Sequence, residues 1–262
     1  MKDNFYSSNK NLPNKKLFDH QPILFLDFDG TISERDVIDA ILAEFADKAW
    51  LEIEEEWLSG AIGSRECLRR QFELVRAAPA ELDEFLSTIK LDEGLPELLK
   101  VIQQHGVTTH IVSDGFAYYI NRLLFKQHGQ EFSNLLKRIC VWANELTTHD
   151  ARCWRTDFPY FEKPCVDGCA TCKPAVIEMV NRNHAPTVFV GDGLSDCYAA
   201  QTVDYVFAKK KLAGFCRTED IRFAAYQNLR EVAEQLAETL SEANSLVHNQ
   251  EFVFEIMPKI VG

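Results

Sequence analysis

The chain has 262 residues, 46% of them hydrophobic and 26% charged, with a formal net charge of −12. That length suits one sizeable α/β domain carrying a smaller insertion, and the composition excludes long disordered stretches. The negative charge argues against nucleic acid as a partner, although a metal and a few local cations can still hold a small phosphate ester. Residues 1–20 form a polar leader without the apolar core of a signal peptide, and no run is long enough for a membrane span. A cytoplasmic protein whose eight cysteines stay reduced is the expectation, with no membrane partner.

Ile23 to Phe28 is continuously apolar between Pro22 and Gly30-Thr31, which predicts a short buried strand. Asp27 and Asp29 stand at its end. Side chains at i and i+2 leave a strand on the same side, so both carboxylates aim at one point above the sheet edge. Like charges held that close repel unless a cation or a shared proton intervenes, and magnesium is commonly held by one or two carboxylates plus phosphate oxygens. Helical periodicity begins at Val37, with Ser33 or Asp36 as its cap, and runs through Trp50–Leu58, Ser64–Ala77 and Pro79–Ile89. These helices predict an insertion over the strand end. Residues 92–105 predict a further helix closed by Gly106, followed by a strand over Val107–Val112 that ends in Ser113-Asp114-Gly115. Such a turn commonly caps a helix, here Phe116–Lys126. Ile139–Leu146 reads as a strand or hairpin arm, and residues 147–164 as an irregular aromatic flap. Lys173-Pro174 opens another helix. Thr187–Val190 is a strand ending in Gly-Asp-Gly-Leu-Ser-Asp over residues 191–196, and Val203–Ala208 another. Residues 221–225 are weakly strand-like, and Leu229–Leu240 is amphipathic. The Lys209-Lys210-Lys211 run reads as a solvated face.

Taken in chain order, the motifs Asp27-x-Asp29, Ser113, Lys173 and Gly-Asp192-x-x-x-Asp196 resemble those of the haloacid-dehalogenase superfamily of aspartate-nucleophile phosphatases. The resemblance covers nearly the whole chain. It implies an α/β fold, a Rossmann-like parallel sheet with an inserted helical type-one cap. The core would comprise 21–32 and 91–245, the cap 33–90, and 246–262 a C-terminal tail. It further implies that Asp27 attacks phosphorus, forming an aspartyl-phosphate, and that Asp29 protonates the leaving alkoxide and then activates water. Ser113 and Lys173 would neutralise charge on the phosphoryl oxygens. Mg2+ would sit between Asp27, the Asp29 backbone carbonyl and Asp192, while Asp196 steadies Lys173 or orients a water on the metal.

A closer resemblance is to the phosphoserine-phosphatase-like branch, and within it to methionine-salvage phosphatases acting on a methylthiopentenyl phosphate. Ser64-Arg65-Glu66-Cys67, Cys165 to Pro174, and Phe207-Ala208 through Tyr226 carry it. Two departures bear on substrate. Gln71 stands where phosphoserine phosphatases hold the substrate carboxylate with arginine, and Asp36 stands at their amine-binding glutamate. Ser113-Asp114 is similar to phosphoethanolamine/phosphocholine phosphatases, which makes Asp114 and Gly115 substrate-binding residues beside Asp36. Arg65 and Arg69 share a helix face, each placed to reach substrate or to pair with a glutamate; Arg65 counts among the substrate-binding residues. Cys165, Cys169 and Cys172 have the spacing of half a structural Zn2+ site, to be completed by Cys153 or His149, and equally that of a reduced cysteine-rich loop. The expected partner is a small-molecule phosphate ester, and the expected state a monomer or homodimer. The alternatives are a phosphoethanolamine/phosphocholine-type or phosphoserine-type enzyme, or a binding protein without turnover.

Overall fold

The structure, a computed structural model, describes residues 21–127, 134–148, 150–161 and 168–241. The 1–20 leader, the 246–262 tail, His149 and Cys165 lie outside them.

A seven-stranded sheet organises the chain, with the order β4-β3-β2-β1-β5-β6-β7. Here β1 is Ile23–Leu26, β2 Thr108–Phe116, β3 Cys140–Thr148, β4 Trp154–Asp157, β5 Thr187–Gly191, β6 Tyr205–Ala208 and β7 Phe223–Ala225. Every pairing is parallel except that of β3 with β4. Strand β1 is central because it is apolar on both faces: Leu24 and Leu26 join one hydrophobic cluster, and Phe25 the other. Its last residue, Leu26, pairs with Ile111 of β2 and Val190 of β5. The chain segments that follow these three strands therefore emerge side by side at one sheet edge, where open α/β sheets bind ligands.

Between β1 and the next helix of the sheet layer lie α1 (Val37–Phe45), α2 (Trp50–Leu58), α3 (Ser64–Phe72) and α4 (Pro79–Leu86). Asp36 rather than Ser33 caps α1, its Oδ1 accepting from the Asp39 amide at 3.0 Å. The chain leaves and rejoins the sheet layer at neighbouring points: the Asp92 amide donates to Ile32 O at 2.8 Å, and the Glu34 amide to Lys90 O at 3.1 Å. The inserted helices do not build a core of their own. Val37, Ile41, Phe72 and Leu82 belong to the same buried cluster as Leu24 and Leu26, and Phe72 meets Phe116 of β2 at 4.5 Å between ring centroids.

Two local expectations change. Strand β2 does not end at Val112 but continues to Phe116, with a register shift against β3 between those residues. Ser113, Asp114 and Gly115 therefore sit in a bulged strand end, not in a helix cap; Asn144 of β3 keeps the bulge paired by donating from Nδ2 to Asp114 O at 2.6 Å. The irregular flap contains β4, a polar edge strand whose Arg155, Thr156 and Asp157 hide it from a hydrophobicity reading. Among the described residues no helix is long and apolar enough to cross a membrane.

The start of α5 (Leu95–His105) is pinned to the last described helix, residues 229–241. Asp92 Oδ1 accepts from the amides of both Gly94 and Leu229, and a Cβ on Gly94 would collide with the backbone of Leu229 and Arg230. Backbone cannot yield as a flexible side chain does. Gly94→Ala is therefore expected to cost about 1–3 kcal/mol of stability, read as a lower urea midpoint with an unchanged m-value.

Candidate active site

The Asp27 amide donates to Val190 O at 2.9 Å, which continues the β1–β5 pairing one residue past the strand and fixes the backbone of Asp27. Its Oδ1 accepts at 2.7 Å from the Nζ of Lys173, the first residue of α7 (Lys173–Val180), and that ammonium also donates to Asp196 Oδ1 at 2.5 Å. Lys173 is only 1% exposed. Burial alone would lower its pKa, but the charges of Asp196, Asp27 and Asp114 outweigh it and hold the ammonium well above its ordinary value. Asp196 is heavily engaged, because its Oδ2 accepts the amides of Asp192 and Gly193, each at 3.0 Å, while Oδ1 takes the Lys173 ammonium. It therefore serves as the holder of Lys173 and of the loop that carries Asp192.

Asp29 is held from three sides. Tyr119, on α6 (Ala117–Gln127), donates its hydroxyl to Asp29 Oδ2 at 2.6 Å; Ser113 Oγ donates to the same oxygen at 3.3 Å, and the Val37 amide to Oδ1 at 3.1 Å. Burial pushes the Asp29 carboxyl up to about 6, and the Tyr119, Val37 and Ser113 hydrogen bonds oppose it. That value leaves the group able both to give and to take a proton near neutral pH.

The acids outnumber their cations. Burial raises Asp27 well above its usual value; Asp196, Asp192 and Asp29 add to the effect and Lys173 opposes it. Carboxylate oxygens of Asp27, Asp192 and Asp196 all lie within 4.8 Å of one another. An all-oxygen, net-negative donor set fits a hard divalent cation such as magnesium, and because Asp27 and Asp192 line the cavity above this cluster while Asp196 is buried beneath it, Asp27 and Asp192 are the carboxylates placed to hold it. Lys210 lies beside them, its Nζ 2.9 Å from Asp192 Oδ2 and 3.2 Å from Gly30 O. No other cluster of three metal-binding side chains occurs among the described residues, so nothing described supports zinc at Cys169 and Cys172.

A cavity of about 320 Å³ opens above Asp27 and Asp29. Asp36, Asp114, Gly115, Ser113 and Asp192 line it, and Lys173 lies beneath it rather than on its wall. Arg65 does not line it; its guanidinium stacks 4.0 Å over the Phe161 ring, while Arg69 pairs with Glu66 and Glu73. The inserted helices supply the outer wall: Ile38 and Asp39 from α1, Glu54 and Trp57 from α2, and Cys67, Leu68 and Gln71 from α3. Gln71 donates to Glu54 Oε2 at 2.9 Å. Crowding by surrounding protein raises the carboxyls of Asp36 and Glu54, although Asp36 keeps solvent contact. Lys210 and Lys211 also line the cavity, so the lysine run is not merely a solvated face. Lys210 begins the helix Lys210–Thr218 with a left-handed backbone, φ 48°, which no sequence pattern announces.

A family model for haloacid dehalogenase-like hydrolases matches residues 24–201, a stretch that includes all of these strand ends. The chain belongs to that family. Among relatives of this hydrolase, the 2-hydroxy-3-keto-5-methylthiopentenyl-1-phosphate phosphatase of Geobacillus thermodenitrificans (strain NG80-2) is 29% identical, covering 82% of this chain and 96% of that protein. The enzyme of the same name from Bacillus velezensis is 28% identical, over 80% and 88%. A substrate-bound phosphoserine phosphatase shares the fold with a TM-score of 0.62 at 20% identity, over 82% of this chain and 98% of its own.

Asp114 offers a direct check on the electrostatics. Burial pushes its carboxyl up to about 6, while Lys173 and the Thr171 amide, 3.1 Å from Oδ1, pull it down. An unfolded aspartate titrates near 4, so the stabilising effect of this raised pKa is complete below about pH 4 and is lost as pH rises through about 6. Asp114→Asn removes that loss. Relative to wild type, the variant is expected to gain about 1–3 kcal/mol between pH 4 and pH 7.5 in urea unfolding, whereas a difference independent of pH would contradict the assigned ionisation.

Proposed function

We propose that this hydrolase is a magnesium-dependent phosphatase that cleaves a small phosphomonoester through an aspartyl-phosphate on Asp27, in the manner of the methylthiopentenyl-phosphate phosphatases it resembles. The observation that carries the reading is the buried pair of Asp27 and Lys173 at the floor of a cavity, with Asp29 two residues on and poised near neutrality.

An Asp27 oxygen bonds to phosphorus as the ester P–O bond breaks, and the Asp29 proton passes to the departing alkoxide oxygen. Asp29, now ionised, takes a proton from water; the water oxygen attacks phosphorus, the Asp27 O–P bond breaks, and inorganic phosphate leaves. Lys173 fixes the nucleophile and sets a positive charge next to the transferring group. Ser113 donates to a phosphoryl oxygen once one is present. Magnesium, held by Asp27 and Asp192, would supply further neutralisation of the phosphoryl charge. Residues 33–90 act as the cap, since they supply the wall that meets the leaving group.

That wall also favours a second reading for the leaving group. Asp36, Asp39 and Glu54 surround it, which suits an alcohol carrying an ammonium group. Gln71, bonded to Glu54, offers no positive charge for a carboxylate, so phosphoserine is the poorest of the candidates.

Phosphate release from a panel of esters tests both readings: methylthiopentenyl phosphate, phosphoethanolamine, phosphocholine, phosphoserine and an aryl phosphate, each with magnesium and with chelator. Chelator is expected to stop turnover, and Asp27→Asn to lower it by at least about a thousandfold. The best ester decides between the neutral and the cationic leaving group. Folded protein that releases phosphate from none of them would overturn the phosphatase reading.

A further inference from the structure

Tyr119 is fully buried, its ring between Phe28 and Phe116 at centroid distances of 6.0 and 6.3 Å, and its hydroxyl ends 2.6 Å from Asp29 Oδ2. Nothing can be inserted beside that contact: a Cβ on Gly115 would run into both the Tyr119 hydroxyl and Asp29 Oδ2. The packing thus delivers one phenolic donor to one oxygen of the acid/base residue. A carboxylate oxygen has two acceptor sites, and both sites of Oδ2 are taken, by Tyr119 and by Ser113 at 3.3 Å. Oδ1 accepts only the Val37 amide at 3.1 Å among the described residues, which leaves it one site.

Building on the phosphatase reading, we infer that Tyr119 is a positioning residue for the reaction: it holds Asp29 Oδ2 as a permanent acceptor, so that the proton given to the leaving group rides on Oδ1. Ser113 cannot do this alone. Its bond to Oδ2 is the longer one, and the same hydroxyl is the donor that turns to a phosphoryl oxygen when substrate is bound. At that moment Tyr119 is the remaining tether of Oδ2, and without it the carboxyl rotates about its χ2 and presents either oxygen. A general acid that is misplaced by a fraction of its hydrogen-bond reach loses its advantage steeply.

The test compares leaving groups that need protonation with one that does not. Tyr119→Phe deletes the hydroxyl and keeps the ring in its packing. With an alkyl phosphate the variant's kcat/KM, which reports every step through loss of the alcohol, is expected to fall about 10- to 100-fold. With 4-nitrophenyl phosphate, whose phenolate departs without a proton, kcat/KM is expected to stay within about threefold of wild type. The second step still relies on Asp29 as base, so rapid mixing of the variant with this ester should give a burst of nitrophenolate stoichiometric with enzyme. A merely structural tyrosine would lower both kcat/KM values by the same factor and give no burst, and that result, or an unchanged alkyl rate, overturns the inference. Should Tyr119→Phe not fold, Tyr119→Met, which also removes the hydroxyl while filling part of the ring's space and adding no atom next to Oδ2, is measured against the same two esters with the same criteria. Failure of the underlying reading looks different: wild type releases alcohol from neither ester, or Asp27→Asn still turns both over.

Discussion

The lysine ammonium enclosed between Asp27 and Asp196 is the interaction on which the site depends. Removing one member of a buried ionic group strands the others without water, at a cost of about 3–5 kcal/mol, so exchanging Lys173 for a neutral side chain costs stability as well as charge. Its position follows from the sheet. The Asp27 backbone is fixed by the continued pairing with β5, Asp196 is locked by the amides that follow that strand, and Lys173 is delivered by the first turn of the helix leading into it. The three elements meet only because β1 and β5 are neighbours at the centre of the sheet.

Around that centre the charges are divided between floor and wall. The floor carries Asp27, Asp29 and Asp192 with Lys173 below and Lys210 at the side, an arrangement that accepts a phosphate dianion once a divalent cation is present. The wall, drawn from the inserted helices, carries Asp39, Glu54 and Gln71 beside Trp57 and Leu68. On the proposed reading, a chain with net charge −12 would bind an anion through a handful of local cations and a metal, while its wall repels further negative charge.

Much of this was legible in the sequence, because the chemistry sits where strands end. Asp-x-Asp, Lys-Pro and Gly-Asp-x-x-x-Asp each follow or open an element whose apolar pattern is plain, and period and turn residues fix those elements locally. What could not be read depends on partners distant in the chain. The bulge that carries Ser113 and Asp114 exists because β3 continues beside it and Asn144 reaches across. Tyr119 has the spacing of any core aromatic, and only the fold brings its hydroxyl to Asp29. Lys210 looked solvated because its neighbours in sequence are lysines, whereas its neighbours in space are Asp192 and Gly30. Arg65 shows the converse: a charged residue on a promising helix face that found an aromatic ring instead.

The contacts that make the site also set when it can exist during synthesis. Asp29 and Ser113 are 84 residues apart, Asp27 and Lys173 are 146, and Thr31 and Asp192 are 161. Closing loops of that length comes late, after local helices and neighbouring strands have formed. The acids at the ends of β1 and β2 are thus synthesised well before Lys173, the ammonium that pairs with Asp27. The floor is complete only when Lys173, at the start of α7, stands between Asp27 and Asp196, beside the β1–β5 pairing that joins the two halves of the sheet.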